Sequence, residues 1–164
     1  MGITRRSLEK GHHRKFLVVI DDTPECDRAV VFAAKRAEHS GGALIMLYVI
    51  IPGEFQHWIG VEDIRRAEAR EEAEELLSRY VDRVREVSTI EPETAIREGM
   101  RSEEIMGLIE ADDDIAILVL GAATDKEGPG PLVTALALRM AGSFPIPITV
   151  VPGTLTDKDI ASIA

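Results

Sequence analysis

The stretch from Ile115 to Met140 is the part of the sequence that most constrains the fold. It begins with six consecutive apolar residues, half of them β-branched, as is typical of a strand that is buried on both faces. Gly121 is expected to end this strand, and a polar loop with further glycines follows it. Apolar residues then recur at helical spacing from Leu132 to Met140, which predicts a helix.

A strand, a loop and a helix in this order direct backbone N–H groups and the positive end of a helix dipole to one point. That arrangement suits an anion such as a phosphate group. The same order also describes an ordinary turn without a ligand, and glycines alone are a weak motif. The pattern by itself therefore leaves both interpretations open.

The rest of the sequence repeats this alternation of strands and helices. Apolar runs predict four more strands, at residues 16–20, 43–51, 89–97 and 145–151. The polar third strand and the fifth strand, which contains two prolines, are expected at the edges of the sheet. Helices are predicted over residues 24–40, capped by the Thr23 hydroxyl, over residues 62–87, and after a cap at Ser102.

This alternation predicts an α/β fold in which a parallel sheet carries helices on both faces. We expect it to occupy residues 15–152, between a basic tail at residues 1–14 and a C-terminal tail at residues 153–164. Ligands of such sheets bind beyond the carboxyl ends of the strands, so the predicted crevice contains Asp21 and the Gly121 loop. The residues expected to be buried in the central strands are Val18, Ile20, Ile45, Leu47, Ile117 and Val119.

Composition disfavours several classes of function. The net charge of −10 disfavours binding to nucleic acid or to an anionic membrane, and no apolar run approaches the length that spans a bilayer. Cys26 is the single cysteine, so no intrachain disulfide can form and the cytoplasm is the expected compartment. Because no metal-ligand cluster, P-loop lysine or Ser–His signature is visible, we predict neither a catalytic residue nor a metal site.

Several segments of the sequence, taken in order, resemble the universal stress protein family over about residues 15–151. They look like the family's opening strand with its Asp-Gly-Ser step, the end of its second strand, the exit of its third strand, its fourth strand and its closing strand. The segments are Val18–Thr23, Leu47–Val49, Arg97–Gly99, Ile115–Gly121 and Ile146–Val151. The resemblance implies a Rossmann-like open sheet of five parallel strands in the order 3-2-1-4-5, and a homodimer formed through the fifth strand.

Members of this family that bind ATP carry a glycine-rich phosphate loop after the fourth strand. The register of that loop falls here on Gly121, Thr124, Thr134 and Ala135, so that only the first glycine is kept. Thr124 adds a side chain where the backbone should approach a phosphate closely, although Thr134 still offers a hydroxyl group.

Two glycines elsewhere in the loop offer an alternative cradle for a phosphate. They are Gly128 and Gly130, but Pro129 and Pro131 beside them each lack the N–H donor that a phosphate needs. Acidic residues in the same loop add electrostatic repulsion. We therefore expect no tight binding of ATP.

The resemblance also implies that Asp21 contacts the sugar of a nucleotide and that Val49 lines the adenine site. We expect no firmly bound cofactor, although this half of the site could still hold AMP or adenosine weakly. The leading interpretation is a dimeric regulatory or stress-response module that is not an enzyme and acts on an unknown protein partner. One alternative is an ATP-binding member with slow ATPase or switch activity, and another is a nucleotide-dependent enzyme. The aromatic segment at residues 52–61 either covers a ligand or packs on the following helix.

Overall fold

The computed structural model of the chain describes residues 4–52 and 61–164, including their side chains except those of residues 61 and 62. Phe55, His57 and Trp58 of the aromatic segment lie outside the described residues. Both interpretations of that segment, as a ligand cover or as a packing element, therefore stay predictions.

One parallel sheet forms the centre of the protein, as the alternation of apolar runs and helices predicts. Its strands are β1 (Lys15–Val19), β2 (Ala43–Ile50), β3 (Glu93–Glu98), β4 (Ile115–Ala122) and β5 (Ile148–Pro152). Their order is β3-β2-β1-β4-β5, which confirms the order implied by the resemblance and the edge positions of the third and fifth strands. Gly121 does not end β4 as predicted, because it pairs with Val151 of β5 and the strand continues to Ala122.

Helices cover both faces of this sheet. Within the described residues they are α1 (Pro24–Ser40), α2 (Val61–Val87), α3 (Arg101–Ala111), a π-helix (Val133–Arg139) and α4 (Asp157–Ile163). Gly41 ends α1 in the left-handed region with a φ of 68°, as expected for a glycine at this position. Met100 is the N-cap of α3, so the prediction that Ser102 caps this helix is wrong. None of these helices is both long and apolar enough to cross a bilayer.

The helix after the glycine loop differs in type from the prediction. Helical spacing from Leu132 predicted an α-helix, but the turns over Val133–Arg139 are π-helical. The structure nevertheless buries Val133 and Leu136, which belong to the predicted apolar pattern. The apolar pattern therefore identified the buried face correctly, although it could not distinguish the wider turns.

The core has two layers, one on each face of the sheet. Alternate residues of β1 enter opposite layers: Phe16 and Val18 pack with α1 and α2, while Leu17 and Val19 pack with α3 and the π-helix. This arrangement confirms that the central strands are buried on both faces. Of the residues expected in the core, Val18, Ile20, Ile45, Leu47 and Val119 are buried, and Ile117 is only partly buried.

The helix α2 reaches the core only from Ala73 onward. Ala73 is fully buried, whereas Ile64 is 61% exposed and Ala67 is also exposed. A helix of 27 residues is about 40 Å long, whereas the eight-residue strand β2 spans about 27 Å. The start of α2 therefore extends beyond the sheet that it covers.

The segment predicted as a basic tail docks on the connection between α3 and β4. The Arg5 guanidinium donates hydrogen bonds to the backbone carbonyls of Ile109 and Asp112, at 2.7 and 3.0 Å. Nδ1 of His12 lies 2.7 Å from a carboxylate oxygen of Asp114. The basic charge near the start of the chain is therefore held by the acidic connection between these two elements.

Residues 153–164 also differ from the tail that the sequence predicts. They include α4, which packs on α1 and buries Ile160 completely. A capping box begins this helix, since the backbone N–H of Asp159 donates to the Thr156 hydroxyl at 3.1 Å and that of Thr156 donates to the Asp159 carboxylate at 2.9 Å. The Thr-x-x-Asp pattern just before Ile160 is the sequence signal that could have predicted α4.

Candidate functional site

A cleft of about 290 Å³ lies at the carboxyl edge of the sheet, between the ends of β1 and β4. Its lining includes Asp21, which follows β1, Gly121 in β4, and Gly130 in the loop before the π-helix. Two α-helices also begin there, α1 after Thr23 and α3 at Arg101. The cleft thus lies where the topology of the sheet places a ligand, and helix N-termini with partial positive charge border it.

The structure brings only some of the predicted site residues together. Asp21, Gly121 and Gly130 share the lining of the cleft. Gly128 and Thr134 line a second depression of about 390 Å³, which Gly130 also borders. The predicted site is therefore divided between two depressions that meet at the glycine loop.

Two further predicted residues line neither of these depressions. Val49 is 5% exposed and belongs to the core layer that contains α3. Thr124 lies beside Gly153, where an added Cβ atom would come within 3.0 Å of its methyl group. The apolar surface available to a ligand in the cleft comes instead from Val19, Leu120 and Val133, none of which the sequence analysis had assigned to the site.

Asp21 is held in place by the residue that begins α1. Its Oδ1 atom accepts hydrogen bonds from the backbone N–H of Thr23, at 3.2 Å, and from the Thr23 hydroxyl. Thr23 is the N-cap residue of α1, as predicted, but its side chain makes no capping hydrogen bond because the hydroxyl is directed to Asp21. This pairing fixes the Asp21 carboxylate at the mouth of the cleft.

The glycine at position 121 is required by packing, independently of any ligand. A Cβ atom there would lie 2.1 Å from the backbone carbonyl oxygen of Glu25, in the first turn of α1. The backbone of α1 cannot move away from position 121 without separating from the sheet. The one glycine that the chain shares with the ATP-binding register therefore has a structural reason to be kept.

The other loop glycines are required by backbone conformation. Gly128 and Gly130 adopt φ angles of 111° and 103°, in a region that residues with a side chain rarely occupy. No heavy atom lies within 4 Å of a Cβ placed at Gly128. These two residues therefore shape the turn of the loop around Pro129.

Several backbone donors of this loop are already used inside it. The N–H of Ala123 donates to the carbonyl of Pro129 at 3.0 Å, and the N–H of Glu127 donates to the Asp125 carboxylate at 3.1 Å. Pro129 and Pro131 have no N–H to offer. These four positions therefore offer no backbone donor to a phosphate group, which reduces the number of converging donors on which tight binding depends.

The charges around the cleft are mostly negative. Asp21, Asp22 and Glu25 contribute carboxylates, and Arg101 is the basic residue among the lining residues that the structure describes. Arg101 was not among the predicted site residues, because it lies on α3, away from the glycine loop. Its place immediately after the exit of the third strand, at the same edge of the sheet, was the signal that could have identified it.

Cys26 borders the same cleft but is not suited to nucleophilic chemistry. Burial raises the pKa of its thiol to about 12, so the thiol stays neutral. Its Sγ atom lies 3.8 Å from the carbonyl oxygen of Val19. Burial is the main cause that raises the pKa of the Tyr80 hydroxyl, and the nearby Cys26 raises it further.

In the described residues no group of three or more His, Cys, Asp or Glu side chains could hold a metal ion.

Comparison with known proteins finds a match to a family at the level of sequence and similar solved structures at the level of fold. The sequence model of the Universal stress protein family matches residues 12–152. The fold is similar to that of the universal stress protein UspA from Lactobacillus plantarum, with a TM-score of 0.70 and 18% identity, covering 84% of this chain and 97% of that one.

Adenine nucleotides are bound in some of the similar structures. One is the universal stress protein from Archaeoglobus fulgidus in complex with dAMP, with a TM-score of 0.61 and 19% identity, covering 85% of this chain and 98% of that one. Another is a universal stress protein family protein from Arabidopsis thaliana with AMP bound, with a TM-score of 0.57 and 17% identity, covering 85% and 91%. No curated protein sequence matches this chain significantly.

Proposed function

This chain belongs to the universal stress protein family, and we propose that it is a regulatory module without catalytic activity that binds AMP or adenosine weakly and does not bind ATP tightly. The cleft beyond β1 and β4 is the proposed binding site. Apolar residues line part of the cleft and suit the adenine base and the sugar of a nucleotide. The Asp21 carboxylate can accept a hydrogen bond from a hydroxyl group of that sugar. A cytoplasmic location and an unknown protein partner are part of the same proposal.

The observation that carries this proposal is the state of the backbone donors in the glycine loop. The backbone N–H groups of Ala123 and Glu127 donate hydrogen bonds within the loop, and Pro129 and Pro131 have no N–H group. A hydrogen bond to a charged group contributes about 1.5–3 kcal/mol, so the loss of two or three weakens binding at least about a hundredfold.

The nucleotides in the related structures support the choice of ligand. The relatives from Archaeoglobus fulgidus and Arabidopsis thaliana hold dAMP and AMP, which carry one phosphate each. A monophosphate needs fewer loop donors than a triphosphate. It also brings less negative charge to a cleft whose lining is mostly acidic.

The alternative is a member that binds ATP and acts as a slow ATPase or a switch. The positive φ angles of Gly128 and Gly130 favour it, because this conformation is typical of loops whose backbone approaches a phosphate. Calorimetric titration of the full chain with ATP, AMP and adenosine separates the two proposals. We expect weak binding of AMP or adenosine, no low-micromolar binding of ATP, and no phosphate release from ATP above background.

Low-micromolar affinity for ATP, or ATP that copurifies at stoichiometric level, is the result that favours the alternative. Such a result would mean that Gly128 and Gly130 rebuild the phosphate cradle despite the neighbouring prolines. If neither AMP nor adenosine binds at millimolar concentration, the proposed ligand class is wrong.

We also propose that the protein is a homodimer formed through β5. This strand lies at the edge of the sheet and pairs on one side with β4. The carbonyl of Pro147 accepts a hydrogen bond from Leu118 in β4, at 3.0 Å. The backbone groups available for a second copy therefore lie mainly from Ile148 to Val151, and Val150 adds an apolar side chain that is 38% exposed.

A further inference from the structure

Arg101 lies at the cleft, and its guanidinium has no hydrogen-bonding or ion-pair partner among the described residues. It is the first residue of α3 and lines the cleft together with Asp21, Gly121 and Gly130. An arginine in this position offers several N–H donors to whatever enters the cleft.

Two of the acidic residues near the start of α3 are already paired with other arginines. Glu104, one turn further along α3, lies 3.5 Å from Arg97. Glu98, at the end of β3, lies 3.3 Å from Arg66. The charge of Arg101 is therefore not consumed by its neighbours, and it remains available to an anion in the cleft.

We propose that Arg101 holds the single phosphate of a nucleoside monophosphate and thereby selects this ligand class over both nucleosides and nucleoside triphosphates. The inference rests on the proposed function, because it assigns a specificity-determining residue to the same cleft. A guanidinium can pair bidentately with two oxygens of one phosphate group. The N-termini of α1 and α3 at the same cleft add partial positive charge to the same side.

The balance of charge and space explains why one phosphate is favoured. The carboxylates of Asp21, Asp22 and Glu25 oppose Arg101, so each phosphate beyond the first adds repulsion that the lining does not offset. A volume of about 290 Å³ also lies at the lower end of the range for small-molecule sites, which begins near 300 Å³. A compact monophosphate suits this cleft better than an extended triphosphate chain.

The test compares AMP with adenosine, because these ligands differ only in the phosphate. Calorimetric titrations are made with the full chain and with Arg101→Gln, which removes the charge and keeps most of the side-chain length. Arg79→Gln, an exposed arginine on α2 away from the cleft, is the matched control. Glu25→Gln removes a carboxylate from the lining of the cleft, and it tests whether less negative charge there strengthens the binding of AMP.

We expect the wild type to bind AMP at least about tenfold more tightly than adenosine, and Arg101→Gln to lose about ten- to a hundredfold in affinity for AMP. Affinity for adenosine should stay within about twofold in that variant, and Glu25→Gln should bind AMP more tightly. Arg79→Gln should behave as the wild type does toward both ligands. Because the Arg101 guanidinium makes no hydrogen bond or ion pair within the described residues, thermal unfolding should show that Arg101→Gln is folded.

The outcomes separate this inference from the proposed function. If AMP and adenosine bind but their affinity ratio is the same in the wild type and in Arg101→Gln, the role of Arg101 is wrong and the proposed function stands. If Arg101→Gln loses affinity for both ligands equally, Arg101 does not read the phosphate and the inference fails. If the wild type binds neither ligand, both the proposed function and the inference are overturned.

Discussion

Nε of Arg83 in α2 donates a hydrogen bond of 2.9 Å to Oδ1 of Asp27 in the first turn of α1. The same guanidinium donates to the Asp157 carboxylate at the start of α4, at 3.0 Å. Arg28 of α1 also reaches Asp157, at 2.7 Å, and donates to the carbonyl of Leu155 at 2.9 Å. This network joins α1, α2 and α4, and it holds residues 153–164 on one face of the domain.

The network makes the stability of the protein sensitive to acid. Burial by itself would raise the pKa of Asp27, but hydrogen bonds from Arg83 and Arg28 outweigh burial and hold this pKa below its ordinary value. Hydrogen bonds from the same two arginines lower the pKa of Asp157. A carboxylate with a lowered pKa in the folded state stabilises the fold fully above its unfolded-state pKa, near 4, and loses this contribution as the pH falls through the folded-state value.

We therefore expect the free energy of unfolding to fall as the pH drops below about 5 in urea denaturation experiments. Asp27→Asn should lower this free energy at pH 7 by about 1–2 kcal/mol and should make the acid-dependent decline shallower. Asp82→Asn is the matched control, because that carboxylate is 76% exposed and lies 3.9 Å from Arg85. Parallel pH profiles of the wild type and Asp27→Asn would show that the network does not titrate as the geometry requires.

The docking of α4 can be tested with two isoleucines of the same helix. Ile160 is fully buried, whereas Ile163 is 60% exposed. Ile160→Ala should lower the free energy of unfolding by about 2–4 kcal/mol, because it removes buried apolar surface and leaves a cavity. Ile163→Ala should change this free energy by less than about 0.5 kcal/mol. Similar effects of the two substitutions would mean that α4 does not pack on α1 in solution.

Much of the fold could be predicted because its signals are local. The apolar run at the start of the domain, Pro24 at the first helical position and Gly41 beyond the last turn together define β1 and α1 within a few residues. The docking of α4 could not be predicted in the same way. This docking depends on contacts such as that between Arg28 and Asp157, which are 129 residues apart in the sequence. No local sequence pattern predicts such a contact.

The candidate site was predictable to a similar extent. The topology of a parallel sheet places Asp21 and Gly121 at one crevice, and the structure has both there. Arg101 could not be predicted from the glycine loop, because it lies at the start of α3, which reaches the same edge of the sheet from another part of the sequence. Val49, taken from the resemblance, is buried in the core because its side chain belongs to the layer under α3.

The structural role of Gly121 leads to a further prediction. Gly121→Ala places a Cβ atom 2.1 Å from the Glu25 carbonyl oxygen, so strand and helix must separate. We expect a loss of about 1–3 kcal/mol in the free energy of unfolding, with or without nucleotide present. Gly142→Ala is the control, since no heavy atom lies within 4 Å of its added Cβ and its φ is not positive. A fully stable Gly121→Ala protein would remove the packing explanation and leave ligand approach as the reason for this glycine.

The last prediction concerns the proposed dimer. Val150, 38% exposed, lies on β5, and Leu138 of the π-helix, 66% exposed, lies on the element that packs beside it. A lysine at the centre of an edge strand is a device by which natural proteins prevent edge-to-edge pairing, because the charge must be desolvated when a second strand docks. Light scattering at micromolar concentration should therefore give a dimeric mass for the wild type and a monomeric mass for Val150→Lys. Thr94→Lys, an exposed position on β3 at the opposite edge, should remain dimeric. A monomeric wild type would show that the prolines before β5 already protect this edge, and a dimeric Val150→Lys would place the interface on another surface.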